Sequence, residues 1–116
     1  LASDRQGEPS RAVAARVQAA RERQQARFVG SGVRCNGEMG PDLISRWCRP
    51  QRDGRRLLEH AVQTLGLSAR AYHRILRVAR TIADLAGEDR VLAALLAEAV
   101  AYRALDREGA SKLPKA

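Results

Sequence analysis

A chain of 116 residues makes one domain with a single modest core, too short for a nucleotide-binding α/β fold alongside anything else. Its formal net charge is +8, only 3% of its residues are aromatic and 21 are alanine, which excludes a core built on large rings and favours helices packed through small side chains. No segment reaches the roughly 20 apolar residues that span a bilayer, and the opening LASDRQGEPS has neither the apolar run nor the cleavage site of a signal peptide, so a cytoplasmic protein without a membrane partner is expected.

Residues 1–10 are polar, carry Gly, Pro and Ser, and read as a linker from a longer protein. After Pro9 and Ser10 a helix is expected over 11–27. Its weak stripe of Val13, Val17, Ala20 and Phe28 alternates with Arg16, Arg21, Arg23 and Arg27, so one narrow side alone is buried. The following VGSGVRCNGEMGP has four glycines and a proline and reads as a loop, the flexible element of the chain. A short helix over 42–48 follows Pro41, with Leu43, Ile44 and Trp47 at helical spacing and Pro50 closing it. Trp47, the single tryptophan, is read as a core anchor and not as a platform for stacked bases.

Asp53 is the expected N-cap of a helix running to Leu65, with Leu57, Leu58, Ala61, Val62 and Leu65 as its stripe. An LGLS turn leads into LSARAYHRILRVARTIADLAG, whose apolar positions Tyr72, Ile75, Leu76, Ala79, Ile82, Ala83 and Ala86 recur at i, i+3, i+4 and i+7. Ser68 stands where an N-cap belongs and Gly87 where a left-handed C′ residue stops a helix. A last helix is expected over 89–105, with Val91, Leu92, Leu95, Leu96, Ala99 and Tyr102 inward, and 108–116 as a disordered tail. The fold class is therefore all-α, a small bundle of about five helices over 11–107.

Arg70, Arg74, Arg77 and Thr81 line the polar face of the helix over 67–87, with His73 beside them. Arg70 falls in the first turn, where backbone N–H groups and the helix dipole favour anions and a guanidinium adds a bidentate fork. The same row reads equally as a solvated face, and an arginine-rich, alanine-rich genome accounts for it as well. Residues 11–80 carry 15 arginines against five acids, whereas 81–116 carry five basic residues against six acids. The basic part suits nucleic acid or nucleotide without choosing between them.

Cys35 and Cys48 offer one disulfide, which a cytoplasmic setting disfavours. With His60 and His73 they match no zinc spacing, so no metal site is expected. There is no glycine-rich phosphate loop, no carboxylate pair in an apolar setting and no Ser/His/Asp or Cys/His arrangement, and Glu98 reads as a surface partner of Arg103 or of the preceding helix. The chain alone is not expected to be an enzyme.

LSARAYHRILRVARTIADLAG followed by LAEAVAYRALDR, with the upstream RVQAARERQQARF, Asn36 after its Gly-rich loop and LLEHAVQ, resembles the C-terminal domain of the magnesium-chelatase-like AAA+ ATPases of the ComM type, also called the YifB family. The resemblance covers residues 11–107 and departs at Leu95, where the family more often has histidine. It implies a helical lid whose sensor-2 arginine, matching Arg70 in SARAYHRILR, contacts the terminal phosphate of ATP bound with Mg2+ in an upstream AAA+ core. It also implies a homo-oligomeric ring, a hexamer, acting on DNA in natural transformation, with subunit or phosphate contacts at Arg74, Arg77, Arg16, Arg23 and Arg27. Two alternatives stay open: an independent basic helical DNA-binding module, and the lid of a genuine magnesium chelatase subunit.

Overall fold

The computed structural model describes residues 10–112, and their side chains as far as Tyr102. Every regular element among the described residues is helical: α1 (Ser10–Arg27), a 3-10 turn (Asn36–Glu38), α2 (Pro41–Trp47), α3 (Arg52–Leu65), α4 (Ala69–Ala86) and α5 (Ala93–Lys112). The all-α bundle expected from the periodicities is present.

The centre of the bundle is α4, which packs against α5, α1, the 3-10 turn and α2, while α3 packs on α5. Its sequence explains that position. Ala71, Ile75, Leu76, Ala79 and Ala83 are buried along it, and the three alanines let its neighbours approach closely. Phe28, Met39, Ile44, Cys48, Leu58, Val91, Leu96 and Ala99 complete the core with Ile75, Leu76 and Ala79.

Both ends of α4 are chemically specified. Ser68 keeps an extended backbone (φ −74°, ψ 164°) and its Oγ accepts from the Ala71 N–H at 3.1 Å. Gly87 at φ 74° takes the left-handed conformation that ends the helix. Ser68→Ala is expected to cost about 1 kcal/mol, the typical worth of such a cap, seen as a lower thermal midpoint with unchanged helicity at low temperature.

Several boundaries depart from the sequence reading. The N-cap of α3 is Gln51, not Asp53, which lies inside the first turn where the helix dipole favours a carboxylate. The last helix begins at Ala93 rather than 89, because Arg23 and Arg80 hold the carbonyl oxygens of residues 87–89 in a loop. It then continues past 105 to Lys112, so residues 108–112 of the expected disordered tail are helical. Tyr102, expected inside, is 55% exposed, and Val13 on α1 is also exposed. The linker over 1–9, the tail over 113–116 and the side chain of Arg103 lie outside the described residues.

The loop over 29–41 is tied down, contrary to the flexible element expected. Asn36 and Met39 are buried within it, and the Asn36 backbone N–H donates to Gln24 Oε1 of α1 at 2.8 Å. Trp47 packs half-buried against the core, with the guanidiniums of Arg27 and Arg46 at 5.6 and 5.2 Å from its ring centre. Among the described residues no helix is long and apolar enough to cross a membrane.

Candidate functional site: an arginine groove on α4

The polar face of α4 forms one wall of a groove of about 660 Å³. Arg70, Arg74, Arg77 and Thr81 run along this wall, Gly37 closes it from the pinned loop and Tyr102 borders it from α5. The three arginines stand at i, i+4 and i+7, successive turns of about 5.4 Å rise. No carboxylate is among the described lining residues, so the guanidinium charge is uncompensated there.

The three are not equivalent. Arg70 and Arg74 are exposed, and their side chains make no hydrogen bond or ion pair with a described residue. Arg77 is half-buried and its Nη1 donates to the Met39 carbonyl at 3.5 Å, which commits it partly to the loop. Arg70 also stands in the first turn of α4, beside the capping Ser68 and the positive end of the helix dipole. His73 lines a separate pocket together with Pro50 and Cys48, with its ring edge-on to Tyr72 at 5.9 Å.

The remaining arginines named from the sequence lie outside the groove. Arg27 is drawn inside: its Nη2 and Nη1 donate to the two carboxylate oxygens of Asp84 at 2.7 and 2.8 Å. Arg23 donates to Asp89 Oδ1 at 3.2 Å and to the Gly87 carbonyl at 3.1 Å, tying α1 to the α4–α5 loop. Arg16 is exposed on α1.

The sequence reading overlooked the cluster behind the groove wall. Asp84 is 1% exposed and takes, besides Arg27, a hydrogen bond from Asn36 Nδ2 at 2.8 Å and an ion pair with Arg80 at 3.2 Å. Asn36 Nδ2 also reaches Thr81 Oγ1 at 3.1 Å, and Asn36 Oδ1 accepts from Arg27 Nη1 at 3.0 Å. Asn36 thus joins the buried ion pairs to a residue of the groove wall. Arg80 Nη1 and Nη2 donate to the carbonyls of Asp89 and Glu88 at 2.9 and 2.7 Å, clamping the loop between α4 and α5. The signal available beforehand was the pair Arg80 and Asp84 at i, i+4, set beside the apolar stripe.

Residues 7–103 match the family described as magnesium chelatase, subunit ChlI C-terminal. The chain belongs to that family. It is 45% identical over 101 residues to a protein named uncharacterized protein YifB of Salmonella typhimurium, and 44% identical to competence protein ComM of Haemophilus influenzae. Each alignment takes 87% of this chain and 19% of the relative, so the chain spans about a fifth of the length of the curated relatives it matches. No solved structure matches it. Within the chelatase C-terminal family its likeness is therefore to the YifB and ComM proteins, as SARAYHRILR and its flanks implied.

The groups of this C-terminal domain whose titration the fold displaces are all buried: Asp84, Arg80 and Cys48. Burial alone would raise the Asp84 pKa, but hydrogen bonds from Arg27 and Asn36 and the charges of Arg27 and Arg80 outweigh it and hold the carboxyl below its ordinary value. Burial pulls the Arg80 guanidinium below its ordinary value, with Asp84 opposing. Burial also pushes the Cys48 thiol up to about 11, which leaves it neutral and unreactive near pH 7. Both cysteines are free thiols, Cys35 exposed and Cys48 fully buried. Among the described residues no group of three or more His, Cys, Asp or Glu side chains is placed to hold a metal ion, and His60 lies near Thr64 of its own helix at 3.3 Å.

Proposed function

We propose that this domain is the helical lid of a ComM-type AAA+ ATPase and that Arg70 is its sensor-2 arginine. One observation carries the reading: Arg70 is exposed and unpaired at the capped start of α4, in a groove whose described lining has three arginines and no carboxylate. A guanidinium held there donates two N–H groups to the terminal phosphate of ATP, and its charge counts most when negative charge spreads over the transferred group. The lid by itself is not an enzyme. The phosphate loop, the Walker B acid and the arginine finger belong to an AAA+ core outside this chain, and so does the seat of Mg2+, since no acid borders the groove among its described residues.

The motor is a homo-oligomeric ring, a hexamer, working on DNA in the cytoplasm, and Arg70 serves the nucleotide of its own subunit or of a neighbour. The buried Arg27–Asp84–Asn36 cluster keeps the groove wall rigid, so that loss of the phosphate is felt as a movement of the whole lid. In the intact ring ATPase, Arg70→Ala is expected to leave ATP binding largely unchanged and to cut hydrolysis on the order of tenfold or more, the scale of losing a charge-stabilising contact. Arg74→Ala, one turn further along, is expected to change hydrolysis far less. Wild-type turnover by the Arg70→Ala enzyme would sink the assignment.

A further inference from the structure

The arginines divide by what the fold does with them. Arg23, Arg27 and Arg80 are taken up by carboxylates and carbonyls, and Arg70, Arg74 and Arg77 line the groove. A further set, Arg46, Arg49, Arg52, Arg55 and Arg56, falls within eleven consecutive residues that turn the corner from α2 into the first turns of α3. All five are exposed, and no hydrogen bond or ion pair joins the side chain of any of them to another described residue. Glu59 stands at i+3 and i+4 from Arg56 and Arg55, a spacing suited to pairing, and pairs with neither; Asp53 is likewise unpaired.

Apart from Arg46, whose guanidinium lies 5.2 Å from the centre of the Trp47 ring, folding gains little from this arrangement. Arg52, Arg55 and Arg56 share one face by their i, i+3, i+4 spacing, repel one another, and stand at the end of α3 where the helix dipole opposes added positive charge. We propose that the α2–α3 corner is a docking surface for the phosphate backbone of double-helical DNA, separate from the nucleotide-sensing groove. The inference rests on the reading above of a motor that acts on DNA.

Arg52, Arg55 and Arg56 lie outside the groove and face open solvent, a geometry for a long polyanion and not for an enclosed nucleotide. The guanidinium fork matches phosphate oxygens in pairs. Trp47 is half-buried beneath the guanidiniums of Arg27 and Arg46, and Tyr72 and His73, which line a pocket with Arg49 and Pro50, are half-buried as well, so no fully exposed ring among the described residues of this corner offers a stacking platform, which favours a duplex over unstacked single strands. On α1, by contrast, Arg23 and Arg27 pair with Asp89 and Asp84, which leaves three exposed arginines, Arg11, Arg16 and Arg21, against the five of the corner.

The test is fluorescence anisotropy of a labelled duplex titrated with the chain at several salt concentrations, without nucleotide, so that the fate of the Arg70 assignment does not affect it. The variant Arg52→Ala/Arg55→Ala/Arg56→Ala is expected to bind more weakly and to flatten the slope of log K against log salt by about 2–3, since each lost phosphate contact removes about 0.9. Arg70→Ala/Arg74→Ala is expected to keep the wild-type slope, and both variants to keep the wild-type circular dichroism. A triple variant with unchanged slope and affinity overturns the proposal, as does an equal loss in the groove variant. Absence of duplex binding by the wild-type chain at low salt overturns it too.

Discussion

Asp84→Ala is expected to destabilise the domain by about 3–5 kcal/mol, the scale of removing one partner from a buried ion pair. Asp84 takes two hydrogen bonds from Arg27, one from Asn36 and an ion pair from Arg80, all within a region it shares with no bulk water. Its removal leaves two guanidiniums facing one another, with Arg80 Nε already lacking a partner in the wild type. Urea denaturation followed by circular dichroism measures the loss. Asp84→Asn keeps the shape but not the charge and turns an amide N–H₂ toward a donor, so it is expected to lose most of the same stability.

The acid side of the stability curve checks the cause. The folded Asp84 carboxyl titrates below its ordinary 3.8, so its stabilisation is present above that pH and is lost as pH falls through the depressed folded value. Wild-type stability should therefore drop more steeply below about pH 4 than that of Asp84→Asn, which has no proton to take up at this site. Parallel curves for the two proteins would remove Asp84 from the account.

The periodic parts of this fold were legible because their causes are local. Ser68, Gly87 and the apolar spacing between them define α4 within its own 20 or so residues, on the scale over which caps and stripes act. The row Arg70, Arg74, Arg77 was readable for the same reason. What escaped notice depends on partners far along the chain: Arg27 meets Asp84 57 positions on, and Arg23 meets Asp89 66 positions on. The first pairing takes Arg27 into the interior, and Arg23, half-buried, acts with Arg80 on the carbonyls of 87–89 to delay the start of α5 to Ala93. Asn36 stood out only as a lone asparagine in a glycine-rich loop. Its four long-range hydrogen bonds, to Gln24 and Arg27 of α1 and to Thr81 and Asp84 of α4, come together only once α1 and α4 have met, and they hold Gly37 at the groove.

Leu96→Ala is expected to cost about 2–5 kcal/mol, and Gly54 decides how much of that is recoverable. Leu96 is fully buried where α5 crosses α3, and a methyl built on Gly54 would lie 2.6 Å from its Cδ1 and 3.1 Å from Pro50 Cβ. In the wild type, Gly54→Ala must displace the end of a fully buried side chain and crowd Pro50, a strain of about 1–3 kcal/mol that outweighs up to about 1 kcal/mol of better helix propensity. With Leu96 truncated, the same methyl enters the volume that Cδ1 vacated. Gly54→Ala is therefore expected to destabilise the wild type and to stabilise Leu96→Ala, an opposite sign in the two backgrounds that a double-mutant cycle by urea denaturation reads directly. Equal effects in both would mean that the two helices do not meet through this contact. The same crossing seats α5, and α5 brings Tyr102 to the border of the arginine groove. Ligand affinity at the groove should accordingly fall in Leu96→Ala and recover with stability in the double variant, whereas a groove independent of α5 would keep its affinity in all three.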